Sequence, residues 1–182
     1  MFVDKFYQVV TQPTREDSLR KNVIENPNPQ NLLEQLALNQ HLHPFTKWWH
    51  YFSFYDKKLG ELAHDSRQGK FLEPIRILEL GVWKGGSLDL WREFFGPQAV
   101  IFGIDIVDPG RVITSGEVRI GSQIDSEFLA SVVREMGGLD VVIDDGSHLS
   151  NHVVKSFEIL YPSLEDAFSH LTHSVLLLRF SG

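Results

Sequence analysis

Residues 144–148, with the sequence Asp-Asp-Gly-Ser-His, place a histidine three positions after a pair of adjacent carboxylates. Two neighbouring carboxylates repel each other when both are ionised, so a cation or hydrogen-bond donors are expected beside Asp144 and Asp145. One or two carboxylates, with water and substrate oxygens, commonly bind Mg²⁺. His148 has a side chain that titrates near neutral pH and is suited to act as a general base. The segment predicts metal-assisted deprotonation of a hydroxyl group; the alternative is an Asp-Gly turn beside a surface histidine.

A second segment joins a short apolar run to a glycine-rich turn and then to an amphipathic run that begins at Ser87. Glycines such as Gly81 and Gly85 allow the backbone to approach a ligand closely, and a helix start offers unpaired N–H groups. The glycine spacing matches neither the dinucleotide fingerprint nor a Walker loop. Glu79 suits a cationic ligand, and S-adenosylmethionine carries an ammonium and a sulfonium. We therefore take these four residues as candidate cofactor contacts; the alternative is a tight turn with a solvated glutamate.

Polar side chains also follow the next two apolar runs. Asp105 comes 24 residues after Gly81, and an acid at that place can accept hydrogen bonds from ribose hydroxyls, although a helix cap or loop acid is the alternative. Gln123 or Asp125 can hydrogen-bond an adenine edge, but capping of the following helix explains Asp125 equally well. Asp144 ends a further apolar run and is another candidate cofactor contact.

The alternation of strand and helix patterns from residue 75 onward predicts parallel βαβ units and therefore an α/β fold. Right-handed crossovers bring the carboxyl ends of such strands to one edge of the sheet, where ligands bind. We expect Glu79, Asp105, Asp144 and Asp145 to lie along that edge. The expected strands are 75–80, 99–105, 118–120, 139–144 and 175–180, and the expected helices are 87–95, 126–136 and 151–164.

The sequence before residue 70 predicts a helical extension. After a polar lead of about 30 residues, the pattern favours a short helix over 31–38 and a longer helix that Thr46 caps and that runs to about His64. The aromatic face of the longer helix is typical of packing onto the sheet or onto a partner subunit. We therefore expect an N-terminal extension over 1–70, which would provide the contacts of any homo-oligomer, and a nucleoside-binding domain over 71–182.

Composition and charge narrow the class of protein. The 182 residues, 42% hydrophobic and 23% charged, are typical of one ordinary globular domain. A net charge of −7 argues against general binding to nucleic acid or anionic membranes. The sequence has no cysteine, which excludes disulfides and thiolate metal sites. It shows no signal-peptide pattern or membrane-spanning run. We expect a cytoplasmic location, a small-molecule partner, and neither a nucleic-acid nor a membrane partner.

Five motifs within about residues 40–164 have a familiar combination: Arg76-Ile-Leu-Glu-Leu-Gly-Val, Gly85-Gly-Ser, Gly103-Ile-Asp-Ile, Gly121-Ser-Gln-Ile-Asp and Val142-Ile-Asp-Asp-Gly-Ser-His. Together they resemble the metal-dependent macrolide-sugar O-methyltransferases of the mycinamicin and tylosin pathways, and the cephalosporin-modifying enzyme of cephamycin biosynthesis is similar. The resemblance implies a Rossmann-like class I methyltransferase sheet, with S-adenosylmethionine and Mg²⁺ as cofactors. It also implies a set of residue roles: Glu79 and Gly81 hold the methionine moiety, Asp105 holds the ribose, Asp145 binds magnesium, and His148 is the general base.

The chain departs from that family after Leu164. The family continues with a proline-glycine-glycine turn and a strand ending in a Glu-Asp pair that supplies further metal ligands, and neither follows here. We therefore expect a shortened C-terminal end and poor magnesium binding by Asp145 alone.

Two functions stay open. One is an O-methyltransferase acting on a hydroxyl of a sugar or a similar natural-product acceptor. The other is a non-catalytic, methyltransferase-like binding or oligomerisation module. A third hypothesis, a nicotinamide-dependent enzyme, is disfavoured by the glycine spacing and by Glu79.

Overall fold

The computed structural model describes residues 8–10, 28–39, 43–168 and 176–179. Helices and strands alternate through most of these ranges. In chain order the elements are β1 (Gln8–Val10), α1 (Leu32–Asn39), β2 (Thr46–Trp48), α2 (Trp49–Arg67), β3 (Arg76–Leu80), α3 (Gly86–Phe95), β4 (Val100–Asp105), β5 (Glu117–Ile120), α4 (Ser126–Met136), β6 (Val141–Asp144), α5 (Ser150–Phe168) and β7 (Leu176–Arg179).

Five of the strands form one parallel sheet in the order β5-β4-β3-β6-β7. The central strand β3 pairs with β4 on one side and with β6 on the other, so the strand order reverses beside it. In register, Leu80 is opposite both Ile104 and Asp144, and Asp105 is opposite Ile120. The carboxyl ends therefore form one edge, with the reversal point at its centre, where open α/β sheets bind ligands.

Apolar side chains cover both faces of this sheet, because β3 and β6 are buried almost throughout. On one face, α3 presents Leu88, Trp91 and Phe95 at helical spacing to a core that also contains side chains of α1 and α2. The rings of Tyr55 in α2 and Trp91 pack edge to face, with their centroids 5.1 Å apart. On the other face, α4 and α5 supply the core, with Leu129 and Leu160 among its fully buried members.

The predicted α/β fold with a parallel sheet is confirmed, and its strands and helices begin and end within a few residues of their predicted limits. The exception is the segment around Thr46, which was predicted to cap a helix. Thr46 instead lies in β2, where it is opposite Val10 in an antiparallel pair, and α2 begins at Trp49. Pairing with the distant β1, in the predicted polar lead, overrides the local capping signal.

The buried face of α2 packs within the chain, which is the first of the two interpretations of its aromatic residues. The division at residue 70 and the use of these helices in an oligomer stay predictions. In the described part of the chain, no helix has the length and apolar character needed to span a membrane.

Candidate active site

A cavity of about 400 Å³ opens at the carboxyl edge of the parallel sheet. Its size falls in the range of about 300–1,000 Å³ that is usual for small-molecule sites. Six of the predicted site residues contribute to its wall: Gly81, Ser87, Asp105, Gln123, Asp145 and His148. The wall also includes residues that the sequence patterns did not indicate, among them Phe45, Lys47, Val82, Trp83, Ile106 and His152.

Asp105 is fixed by backbone donors of the turn after β3 and of its own strand end. Its Oδ2 accepts hydrogen bonds from the N–H groups of Val82 and Trp83, each at 2.9 Å, and its Oδ1 accepts one from Val107 at 3.0 Å. Burial would raise the pKa of this carboxyl, but the backbone donors outweigh burial and lower it below its ordinary value. The cavity wall therefore carries an ionised carboxylate of fixed orientation.

Gly81 is required by both its conformation and its surroundings. Its φ of +89° lies in the left-handed region. A Cβ atom at this position would clash with the carbonyl oxygen of Asp145 and lie 2.7 Å from Cα of Gly146. The loops after β3 and β6 thus approach each other at backbone distance, and this contact shapes the floor of the cavity.

A largely buried ion-pair cluster lies in and beneath the cavity wall. It is formed by Lys47, Glu79, Ser87 and Asp145, of which Glu79 alone does not line the cavity. The Lys47 ammonium is 2.7 Å from Oδ2 of Asp145 and 3.1 Å from Oε1 of Glu79. The Ser87 hydroxyl donates to the other oxygen of Glu79. Glu79 is fully buried and its oxygens already have partners in this Lys47 cluster. Its predicted role of holding the cofactor's methionine moiety would therefore be exerted through these neighbours.

Burial and ion pairing act in opposite directions on the charges of the Lys47 cluster. Burial alone would lower the pKa of Lys47, but Glu79 and Asp145 raise it well above its ordinary value. Burial raises the pKa of Glu79, although the nearby ammonium opposes the rise. Lys47 is accordingly a permanent cation at neutral pH. With two carboxyl groups for one ammonium, the cluster favours a further positive charge in the cavity.

His148 and His152 both line the cavity. The His148 side chain is half-exposed, and its Nε2 is 4.0 Å from Oδ1 of Asp145. Its φ of +57° is unusual for a non-glycine residue and turns the chain sharply before α5. His152 Nδ1 is 2.9 Å from the Ser147 hydroxyl. Gln123 closes the same loop, because its Oε1 accepts a hydrogen bond from Ser147 N at 2.8 Å.

Two predicted cofactor contacts lie away from the cavity wall and have local roles. Gly85 has a φ of +87° and stands at the start of α3, where a Cβ atom would meet the side chain of Ile113. Asp125 caps α4, since its Oδ1 accepts hydrogen bonds from the N–H groups of Glu127 and Phe128, each at 3.0 Å. The capping alternative for Asp125 is therefore realised in the structure.

Asp144 is also absent from the wall, because its carboxylate is only 2% exposed. It accepts a hydrogen bond at 3.3 Å from the Ser156 hydroxyl and one at 3.2 Å from the N–H of Gly146. The bond from Ser156 ties the end of β6 to α5, and the bond from Gly146 fixes the turn that follows β6. Among the described residues, no three His, Asp or Glu side chains are grouped so that they could hold a metal ion. Asp145 therefore belongs to no three-ligand metal group in the described ranges.

Sequence reasoning missed Lys47 because its partners Glu79 and Asp145 lie 32 and 98 residues away. One signal was available: Lys47 is the single charged residue between Phe45 and Trp49. A lysine in so aromatic a stretch is seldom buried without a counter-ion.

The sequence is similar to those of known O-methyltransferases. No family model matches the sequence. The chain is 45% identical over 101 residues to the mycinamicin VI 2''-O-methyltransferase of Micromonospora griseorubida, across 50% of this chain and 24% of the relative. It is 37% identical over 139 residues to the 8-demethyl-8-(2-methoxy-alpha-L-rhamnosyl)-tetracenomycin-C 3'-O-methyltransferase of Streptomyces olivaceus, across 68% of this chain and 32% of that relative. The chain thus spans about a third or less of the length of these curated relatives.

The structural comparison agrees. MycE methyltransferase from the mycinamycin biosynthetic pathway, in complex with Mg, SAH and mycinamycin VI, shares a TM-score of 0.56 and 34% identity, over 72% of this chain and 34% of MycE. Crystal form 2 of MycE with Mg and SAH gives a TM-score of 0.51 at 36% identity, over 62% of this chain and 28% of MycE. The predicted class I methyltransferase fold and the resemblance to macrolide-sugar O-methyltransferases are thereby confirmed.

Proposed function

We propose that this chain is the adenosylmethionine-binding part of an O-methyltransferase that modifies a hydroxyl group of a sugar on a small-molecule natural product. The observation that carries this function is the arrangement of Asp105 and Gly81 around one cavity at the point where the strand order reverses. Its similarity to curated enzymes that methylate sugars on macrolide and polyketide compounds supports the same assignment.

The part of the cavity wall that follows β4 and β5 suits an adenosyl nucleoside. Asp105 is ionised and held in one orientation, so it is placed to accept hydrogen bonds from the ribose hydroxyls. Gln123 lines the wall next to Gly121 and Ser122, and its amide can bond to an adenine edge. Ile106, which is 74% exposed, offers apolar surface for one face of the base.

The inner part of the cavity suits the methionine end of the cofactor. Gly81 leaves room for a close approach of the ligand to the backbone, and the Lys47 cluster supplies excess negative charge. S-adenosylmethionine carries one more positive charge than its product, because the sulfonium becomes a thioether on methyl transfer. The cluster therefore favours the reactant over the product by electrostatics.

Methyl transfer needs alignment of the acceptor oxygen with the sulfonium methyl group and removal of the hydroxyl proton. The oxygen forms a bond to the methyl carbon while the carbon–sulfur bond breaks and its electrons return to sulfur. His148 in the cavity wall is our proposed acceptor of the proton, because its side chain is half-exposed and its Nε2 lies 4.0 Å from Oδ1 of Asp145. His152 lies in the same wall and is the matched histidine for comparison.

Mg²⁺ is the second cofactor that the resemblance implies, and MycE was crystallised with it. Of the described residues, Asp145 is the ligand that the resemblance implies, and its Oδ2 already lies 2.7 Å from the Lys47 ammonium. The described part of the chain does not complete a metal site around it, so further oxygen ligands would have to come from outside the described ranges.

Isothermal titration calorimetry with S-adenosylhomocysteine tests the proposal directly. We expect binding by the unaltered chain and at least about tenfold weaker binding by Asp105→Ala, because the ribose loses its acceptor. Asp108→Ala is the matched control: Asp108 is an exposed acid of the same loop that does not line the cavity. Absence of heat with the unaltered chain would contradict the proposal.

A non-catalytic binding module is the second candidate, and it is favoured because no three-ligand metal group forms around Asp145 among the described residues. Labelled S-adenosylmethionine, incubated with the chain and a panel of glycosides, separates the two. Transfer of label to a glycoside that His148→Ala reduces and His152→Ala leaves unchanged supports catalysis by this chain. Cofactor binding without transfer supports the module.

A further inference from the structure

We infer that Lys47 is a resident cation that takes the place of a divalent metal ion at Asp145, so that the nucleoside cavity forms without metal and the metal affinity of Asp145 is set by Lys47. The inference deepens the proposed function and rests on it in one respect, which is that the cavity binds an adenosyl nucleoside. It follows from the contacts, burial and charge of the Lys47 cluster.

The ammonium of Lys47 lies against the carboxyl group of Asp145, and both residues line the cavity. It is 2.7 Å from Oδ2 of Asp145, which is the distance of a charge-assisted hydrogen bond. The other carboxylate oxygen, Oδ1, faces Nε2 of His148 at 4.0 Å. Oxygen ligands must be free to bind a hard ion such as Mg²⁺. The Oδ2 oxygen of Asp145 already accepts a hydrogen bond from the Lys47 ammonium.

Three features keep the ammonium in place. The Lys47 side chain is 2% exposed, and its ammonium is 5.9 Å and 5.7 Å from the ring centres of Tyr55 and Trp91, which stabilises the cation. Withdrawal of Lys47 would leave Glu79 buried without its positive partner, and such a change is strongly unfavourable. The lysine is therefore a fixed part of the cavity and not a mobile surface charge.

The surroundings disfavour a metal ion in the same position. Between residues 43 and 164 no other carboxylate or histidine joins Asp145 to make a three-ligand group. The Lys47 cluster as a whole favours added positive charge elsewhere in the cavity, but a divalent ion bound directly to Asp145 would lie next to the Lys47 ammonium. Two positive charges in such close contact repel strongly in a partly buried site. Removal of the lysine charge should therefore increase the metal affinity of Asp145.

The test measures Mn²⁺ binding in the absence of nucleoside, by electron paramagnetic resonance of the free ion, so its result does not depend on the proposed function. We expect Lys47→Met to bind Mn²⁺ at least about tenfold more tightly than the unaltered chain, and Asp145→Asn in the Lys47→Met background to lose the gain. Equal or weaker Mn²⁺ binding by Lys47→Met would overturn the inference.

Methionine keeps the length of the side chain beside Tyr55 and Trp91, but it leaves Glu79 without its counter-ion. The double variant Lys47→Met/Glu79→Gln removes that buried charge and serves if the single variant does not fold. It carries the same expectation, because Asp145 is unchanged.

Calorimetry with S-adenosylhomocysteine completes the test. Equal affinity of the unaltered chain in Mg²⁺ and in chelator supports the inference, and binding that chelator abolishes overturns it. Absence of nucleoside binding in both conditions contradicts the proposed function instead, and the Mn²⁺ comparison then decides the inference.

Discussion

The carboxylate of Asp105 links the sheet edge to the glycine-rich turn, and its ionisation makes that link depend on pH. The folded chain holds the pKa of Asp105 below its ordinary value, chiefly because hydrogen bonds from Trp83 and its neighbours outweigh burial. An acid whose pKa is lowered by folding stabilises the protein above its unfolded pKa, about 3.9, and loses that contribution as the pH falls through the folded value.

We therefore expect Asp105→Asn to reduce the free energy of unfolding by about 1 kcal/mol at neutral pH, and the difference from the unaltered chain to shrink below about pH 4. Urea unfolding followed by circular dichroism between pH 3 and 7 measures it. The exposed Asp108→Asn is the control. A difference that grows on acidification would show the opposite sign of the pKa shift.

Gly81 supports a second prediction at the scale of single residues. Gly81→Ala forces a side chain into left-handed backbone and against the loop at residues 145 and 146. We expect it to cost about 2–4 kcal/mol of stability and to weaken nucleoside binding.

The control is Gly110→Ala. Gly110 also has positive φ, +69°, but no atom lies within 4 Å of the added Cβ, so only the conformational cost of about 1–2 kcal/mol applies. Equal losses in the two variants, measured by urea unfolding, would show that the approach of the two loops is not the reason for Gly81.

Among the helices, α4 provides a direct test of two roles for one residue. If Asp125 acts as the cap seen in the structure, Asp125→Ala should cost about 1 kcal/mol and Asp125→Ser should retain most of the stability, because serine is also a good cap. Both variants should bind S-adenosylhomocysteine as the unaltered chain does. If the stable Asp125→Ser variant failed to bind S-adenosylhomocysteine, the prediction that Asp125 contacts the cofactor would be supported.

Local signals explain which elements were predictable from the sequence. Helix α4 begins after Asp125 and ends before Gly137, and both ends match the prediction because cap residues act within a few positions. The buried strands β3 and β4 stand out as apolar runs for a similar reason. Strand β2 was missed because its hydrogen-bonded partner, around Val9, lies 38 residues earlier and no local pattern announces it.

The same distinction holds at the cavity. Asp105 and Asp145 were found because the ends of parallel strands must share an edge, which is a consequence of topology alone. The engagement of Asp145 by Lys47 depends on how the segment before α2 crosses that edge, and this is decided by tertiary packing. Asp144 and Asp145 are neighbours in sequence, yet one is buried beneath the loop and the other faces the cavity.

For the molecule as a whole, the N-terminal helices and the sheet share one core. Trp91, Phe94 and Phe95 of α3 are fully buried in a cluster that includes Phe52 and Tyr55 of α2. Burial of a large apolar side chain contributes about 1.5–3 kcal/mol, and a domain of this size is stable by about 5–15 kcal/mol in total. Removal of residues 1–70 would uncover several such side chains at once.

We therefore expect a fragment of residues 71–182 to lack a cooperative unfolding transition and to bind a hydrophobic dye. A fragment of residues 28–182, which keeps α1 and α2, should unfold cooperatively. Urea titration followed by circular dichroism, which does not depend on the number of tryptophans in each fragment, measures unfolding in both. A sharp transition in the shorter fragment, with a denaturant slope proportional to its length, would mean that the boundary near residue 70 separates two folding units. In that case the aromatic face of α2 would be free to serve as a subunit interface.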